Sequence, residues 1–383
     1  MEFRISRRSN DFAAKPLLGA GLLAVLSAAL TVAPIGVAGA QGSCKGRPAD
    51  STEACNKTPA KAPFAPTGWK TVAVDHFDMQ AVDYKKEAAY YDALMNWKVR
   101  ADNGKEAVLD IGDIATVVIH GGYNPPAPPP RPAPAPGDTT AGRGRGRGGQ
   151  GGGGRGPAQA VWDGFSFQIA PFDSKKVEAA LKERGLNPVL VKELNGCETF
   201  HVKDPDGFDV GINNGCYAKN RKANASKAGL ATEKPFEATD WKTVWLDHIS
   251  FQVSNYKESV AWYQTLLGWM PTGDEGSQNE TWICEDCGNA IIRGGNPFNT
   301  ARPMPAQRRA TIGHISFGLQ GFDYAKVLAE LEKRKLTGRP DTGTNMKIDD
   351  PNANYKSYHT PTPGGFDLQI SNGTKANRTV KTP

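Results

Sequence analysis

Beyond Val37 the chain has no second long apolar run, so nothing past its N-terminus reads as a membrane span. It also lacks a partner for Cys284-Glu285-Asp286-Cys287. A zinc site of the paired C-x-x-C type needs a second pair at similar spacing, and Cys197 and Cys216 do not form one. That leaves a local disulfide or two free thiols. There is no basic face with interleaved aromatics either. The formal charge of +6 over 383 residues is inflated by the N-terminal arginines and by Arg143, Arg145, Arg147 and Arg155 in a glycine-rich stretch, which argues against nucleic acid as a partner.

The N-terminus has the form of a secretory leader. Arg4, Arg7 and Arg8 give a positive start, Leu17–Val37 is apolar and rich in small residues, and Ala38-Gly39-Ala40 is an A-x-A-type cleavage site. The expectation is a signal peptide over residues 1–40 and a mature protein that is periplasmic or secreted. No stable membrane insertion is expected after the leader is removed, because Gly and Pro interrupt the apolar run. Arg7-Arg8 suggests twin-arginine export, although Phe12 is displaced from its usual place. Six cysteines in an exported chain are compatible with disulfides.

The remainder says nearly the same thing twice. TGWKTVAVDHFDMQAVDYKKEAAYYDALMNWKV begins at Thr67, and TDWKTVWLDHISFQVSNYKESVAWYQTLLGWMP begins at Thr239. At a constant offset Trp69 matches Trp241, His76 matches His248, Tyr84 matches Tyr256 and Trp97 matches Trp269. A duplication this clear fixes the architecture before any element is assigned.

Within each copy two modules can be drawn: Trp69 to Asn124 and Val161 to Asn214, then Trp241 to Asn296 and Thr311 to Asn372. Each opens on an alternating strand (Val72–Gln80, Gly164–Ile169, Val244–Val253, Ile312–Leu319) and continues into an amphipathic helix. Val260, Tyr263, Leu266 and Leu267 recur at helical spacing in the third module; Val327, Leu328, Leu331 and Leu336 do so in the fourth. Further strands follow, as at Thr281–Cys284, Ala290–Arg293, Ser357–His359 and Phe366–Ile370. The pattern is βαβββ four times, an α+β fold. Modules two and four share a further motif, with Phe200-His201 and Asp204-Pro205-Asp206-Gly207-Phe208-Asp209 parallel to Tyr358-His359 and Thr362-Pro363-Gly364-Gly365-Phe366-Asp367. The expected organisation is a leader at 1–40, a linker at 41–66, a first domain at 67–230 and a second at 239–375. The proline-rich, then Gly/Arg-rich stretch at 125–159 has almost nothing to bury and reads as a disordered insert in the first domain. Trp69, Trp97, Trp241, Trp262 and Trp269 are expected in the core.

At D-H-I-S-F (Asp247–Phe251), G-H-I-S-F (Gly313–Phe317) and P-G-G-F-D-L-Q-I (Pro363–Ile370) the chain resembles the vicinal oxygen chelate superfamily, which includes glyoxalase I, extradiol dioxygenases and bleomycin-resistance proteins. The resemblance covers nearly the whole mature chain apart from the insert and the ends. It implies four βαβββ modules paired into two tandem half-open barrels, with a divalent metal in a cup. The metal slots carry over to His248 and His314 on first strands and to Gln369 on a last strand. Extradiol dioxygenases have a glutamate at the position of Gln369, completing a facial triad suited to Fe(II). A neutral Gln weakens that reading and leaves zinc, manganese or nickel open beside iron.

The resemblance also implies a general acid–base role for His359 and places Arg293 where it can neutralise an anionic substrate. In the first half His76 is kept, with His120 as a possible partner, but Gly164 and Gly211 occupy the other two slots, and the first cup is expected to be structural. A single strand histidine is more often a hydrogen-bonded structural residue than a ligand; two in matching slots point the other way. The expected protein is an exported metalloenzyme binding one divalent ion and acting on a small organic molecule with vicinal oxygens. Ring-cleaving dioxygenase and glyoxalase-like lyase or isomerase chemistry are both open. The competing class is a non-catalytic binder of the bleomycin-resistance type.

Overall fold

Alternating apolar and polar residues build four long strands: Lys70–Ala81 (β1), Ala160–Ala170 (β5), Thr243–Gln252 (β9) and Thr311–Leu319 (β13). The computed structural model describes residues 60–126, 158–193, 198–275, 278–295 and 310–378. The leader at 1–40, most of the linker at 41–66 and most of the insert at 125–159 lie outside the described residues. Among the described residues no helix is long and apolar enough to cross a membrane.

Each long strand opens a βαβββ unit. Helices Tyr84–Met95 (α1), Ser174–Glu183 (α2), Tyr256–Leu267 (α4) and Tyr324–Lys333 (α5) follow directly. Asp83, Asp173, Asn255 and Asp323 cap them, each side chain accepting a backbone N–H of the first turn. The shorter strands are Lys98–Asp102 (β2), Glu106–Ile111 (β3), Ala115–His120 (β4), Val189–Lys192 (β6), Glu198–Lys203 (β7), Asp209–Asn213 (β8), Met270–Asp274 (β10), Gln278–Trp282 (β11), Asn289–Arg293 (β12), Arg339–Asp341 (β14), Ser357–Pro361 (β15) and Asp367–Ser371 (β16). Helices Cys216–Asn224 (α3) and Lys375–Arg378 (α6) end the two halves.

Two eight-stranded mixed sheets result, ordered β2-β3-β4-β1-β5-β8-β7-β6 and β10-β11-β12-β9-β13-β16-β15-β14. The second order is the first with eight added to each number. In both, the first strands of two units pair antiparallel at the centre, and each pairs in parallel with the last strand of its own unit. Neither sheet closes into a barrel, but the first one curls. Glu193, just past edge strand β6, lies 3.8 Å from His76 on central strand β1. Four strand spacings in a flat sheet would separate their backbones by about 19 Å.

The apolar faces form one core. Phe165 packs edge-on to Phe251 with ring centroids 5.2 Å apart, and Phe167 does the same to Trp269 at 5.1 Å. The junction between the sheets is reciprocal. Trp97 donates its indole N–H to Thr243 Oγ1, and Trp269 donates to Thr71 Oγ1. Each indole stacks on a tyrosine of its own half, Tyr91 or Tyr263. Trp69, Trp97, Trp262 and Trp269 are buried as expected, and the partly buried Trp241 packs against the core. The C-x-x-C is a disulfide, Cys284–Cys287, with Cα atoms 4.9 Å apart.

Candidate functional site

The face of each sheet opposite the core is polar. On the second sheet, strand register places Asn289, His248, Ser316, Gln369 and His359 in one row across β12, β9, β13, β16 and β15. Ser250, His314 and Asp367 form the adjacent row on the same face. All six histidines of the chain sit on these polar faces, three per sheet: His76, His120 and His201 on the first, His248, His314 and His359 on the second.

A β-bulge sets the orientation of His248. The pairing of β9 with β13 steps from His248 to Leu246 and skips Asp247. The extra residue turns the Asp247 carboxylate beside its neighbour's ring. Asp247 Oδ2 then accepts from His248 Nδ1 at 3.0 Å, Tyr355 Oη at 2.8 Å and Ser316 Oγ at 3.1 Å, while Arg378 of α6 donates to Oδ1. Burial alone would raise the Asp247 pKa, but the charge and hydrogen bond of His248, then Arg378 and Tyr355, hold it well below the carboxylate range. A fixed carboxylate on Nδ1 selects the tautomer that presents a lone pair at Nε2.

That Nε2 meets the Nε2 of His314 at 3.0 Å. Burial, then the charges of His248, His359 and Arg293, push the His314 pKa well below its ordinary value, so its imidazole is neutral. Two nitrogen ligands cis on one ion at ~2.1 Å lie about 3 Å apart, so the pair fits a divalent cation in place of the proton they otherwise share. Gln369 lies on the same face. Its Nε2 donates to Ser357 Oγ at 2.7 Å, and its Oε1 is buried with no hydrogen-bond partner. Buried carbonyl oxygens are rarely left so. His248, His314 and Gln369 therefore share one face and leave unpartnered or replaceable lone pairs there, which fits a metal.

His359 sits differently from a free base. Nδ1 bonds Asp367 at 3.0 Å and Nε2 bonds Asp341 at 3.1 Å. Burial would lower its pKa, but these two carboxylates raise it above the ordinary value. A second grouping that could hold a metal ion is His314, His359 and Asp367, whose ligand atoms lie within 4.8 Å of one another. It shares His314 with the first set, but its other two members are already paired with each other. Arg293 is partly buried on the same face, its pKa lowered by burial, and its Nε has no hydrogen-bond partner.

Sequence reasoning missed Asp247, Tyr355 and Asp367. The signal for the first was present, because both copies keep an Asp-His pair, Asp75-His76 and Asp247-His248. Asp367 lies two residues before Gln369 and therefore on its face.

No family model matches the chain, and no curated protein matches it in sequence. Solved structures do. The 2,3-dioxygenase LapB of Pseudomonas sp. KL28 superposes with a TM-score of 0.50 at 12% identity, over 80% of this chain and 93% of that one. Homoprotocatechuate 2,3-dioxygenase of Arthrobacter globiformis gives a TM-score of 0.50 at 14% identity, over 81% and 82%. The Mn(II)-bound glyoxalase of Novosphingobium aromaticivorans gives 0.49 at 13% identity, over 79% and 82%. The chain shares the fold of these two dioxygenases, built here as two tandem pairs of βαβββ modules. At these identities the likeness is one of fold.

Proposed function

We propose that the second sheet carries the active site of a divalent-metal-dependent enzyme acting on a small organic molecule with two adjacent oxygens. The observation that carries this is the pair of histidine nitrogens 3.0 Å apart, one aimed by a bulged aspartate. His248 and His314 would hold the ion with Gln369 Oε1. A bound divalent ion supplies Lewis acidity to chelated substrate oxygens. Asp247, fixed by its other donors Tyr355, Ser316, Ser371 and Arg378, keeps the His248 ring in the ligating tautomer. Arg293, a partly buried cation with an unpartnered Nε–H, binds an anionic oxygen of the substrate. His359, with one ring nitrogen bonded to Asp367 and the other to Asp341, would exchange a proton through those carboxylates. The ion is one of iron, manganese, zinc or nickel, and the protein works after export.

A non-catalytic binder is favoured by one feature, the neutral Gln369 where ring-cleaving members of the superfamily carry a carboxylate. The two readings separate in one experiment. Purified protein loaded in turn with Fe(II), Mn(II), Zn(II) and Ni(II) is given a catechol while dioxygen is followed, and a hemithioacetal while thioester is followed. Turnover that disappears in His314→Ala supports the enzyme. Metal-independent binding of either compound without turnover supports the binder.

A further inference from the structure

The first sheet repeats the bulge. The pairing of β1 with β5 skips Asp75, and Asp75 Oδ2 takes the Nδ1 of His76 at 3.1 Å. Asp75 is itself fixed by Asn213 Nδ2 on Oδ2 and by the Ala218 amide on Oδ1. The Nε2 of His76 thus points inward, as that of His248 does. His76 is fully buried, and this Nε2 has no hydrogen-bond partner.

Around it stands an ordered chain of charge. Glu106 and Asp78 hold the two nitrogens of His120 at 2.6 and 3.0 Å. Glu193 and Asp209 hold those of His201 at 3.1 and 2.8 Å. The inner members, Asp78 and Glu193, flank His76, and each places an oxygen 3.8 Å from its Nε2. Every other ring nitrogen of His76, His120 and His201 is within 3.1 Å of a carboxylate oxygen. Only the central gap is too long for a hydrogen bond. A cation bound at ~2.1 Å by His76 Nε2 and one carboxylate spans a gap of this length, and the other carboxylate must turn toward it, because the three ligand atoms are not all within 4.8 Å of one another. Gly164 makes the arrangement possible. A Cβ there would lie 2.9 Å from both Cβ and Oδ2 of Asp78, so the residue that removes a histidine from this slot also admits the carboxylate.

We propose that the first sheet holds its own divalent cation, bound by His76 Nε2, Asp78 and Glu193. One imidazole and two carboxylates suit zinc or manganese, and two negative ligands compensate a dication where the second sheet offers neutral ones. His120 and His201 donate to the two ligating carboxylates and position them. This site is separate from the His248–His314 pair and does not depend on that pair binding metal.

The test is metal stoichiometry on the full-length protein. Stripped of metal by chelation, the wild type and the variants Glu193→Gln, Asp78→Asn and His248→Ala are titrated with Zn(II) and with Mn(II) by calorimetry. Bound metal is then counted by elemental analysis after dialysis, with circular dichroism to confirm folding. Glu193→Gln and Asp78→Asn should each lose one equivalent relative to wild type, and His248→Ala should keep that same equivalent. Because Glu193 lies beyond an edge strand, its variant keeps the test open even where Asp78→Asn fails to fold. Glu193→Gln binding as much metal as wild type, with unchanged affinity, would overturn the proposal. Loss in Glu193→Gln with none in His248→Ala would uphold this site while removing the second-sheet site proposed above.

Discussion

His76 and His248 occupy the same strand position, and each gives its Nδ1 to a bulged aspartate. What their Nε2 atoms face differs. His248 faces a second, neutral histidine; His76 faces two carboxylates. The difference traces to the neighbouring first strand. His314 fills the slot in one sheet, and Gly164 empties it in the other, where Asp78 leans into the space. One backbone thus builds two polar faces of opposite character. A histidine kept in both copies does not by itself define a site; the residue across the strand pair does.

Substitutions at the paired nitrogens should break this comparison most sharply. His314→Ala should abolish metal binding at the second sheet, as should His248→Ala, while His76→Ala leaves that binding unchanged. Calorimetric titration with Mn(II) measures all three. If His76→Ala lost the second-sheet ion, the two faces would be coupled rather than independent.

The contacts that join the halves are a second matched pair. In one, Glu87 of α1 accepts from the Gly364 amide and from Thr362 Oγ1; in the other, Ser259 of α4 donates to Asp206, and Tyr263 donates to Asp204. The carboxylate stands on the helix in one contact and on the turn in the other. Burial raises Glu87 to about 7, against the hydrogen bonds from Gly364 and Thr362 that lower it. A raised folded pKa means that the contribution to stability is fully present below the unfolded value near 4.5 and is lost as pH rises through about 7. The size is on the order of 3 kcal/mol. Asp204, raised by burial to about 6, acts in the same direction over a lower window. Urea unfolding from pH 4 to 8 should therefore show stability falling toward neutrality from these groups. Glu87→Gln should remove the part of that fall that extends to about 7. An unchanged profile would show that Glu87 is solvated.

A smaller effect is expected at the third donor. Gln369→Glu adds a negative charge beside the ion in a site of low effective dielectric. Affinity for Mn(II) should rise by about tenfold or more. No change would mean that Gln369 does not touch the ion. Smallest are the reciprocal indole bonds. Trp97→Phe and Trp269→Phe each remove one hydrogen bond to a threonine of the other half and some packing. Each should cost about 1–2 kcal/mol, and by similar amounts, in chemical denaturation. A strong asymmetry would show that one half leans on the other.

Much of this was legible in the sequence, for physical reasons. The Trp69/Trp241 and Trp97/Trp269 matches reported a duplicated core, and alternation reported the four central strands, because a strand buried on one face must alternate. His248, His314 and Gln369 could be placed on one face because their strands keep period two. The first-sheet network was not read. Asp78 lies two residues after His76 and so on its face, a signal that was available. Glu193 was not accessible in the same way. It lies at the far edge of the sheet order, and only the curl of the sheet brings it to His76. The clamp on His359 was hidden for the same reason, since Asp341 reaches it across the edge pairing of β14 with β15.

The central claim, that the second sheet presents a metal-binding pair of histidines, is tested most directly by anomalous diffraction from crystals of the protein grown with Mn(II). A manganese peak bonded to Nε2 of both His248 and His314 is expected. Crystals in which those two nitrogens remain hydrogen-bonded to each other, with no anomalous peak on the second sheet, would contradict it.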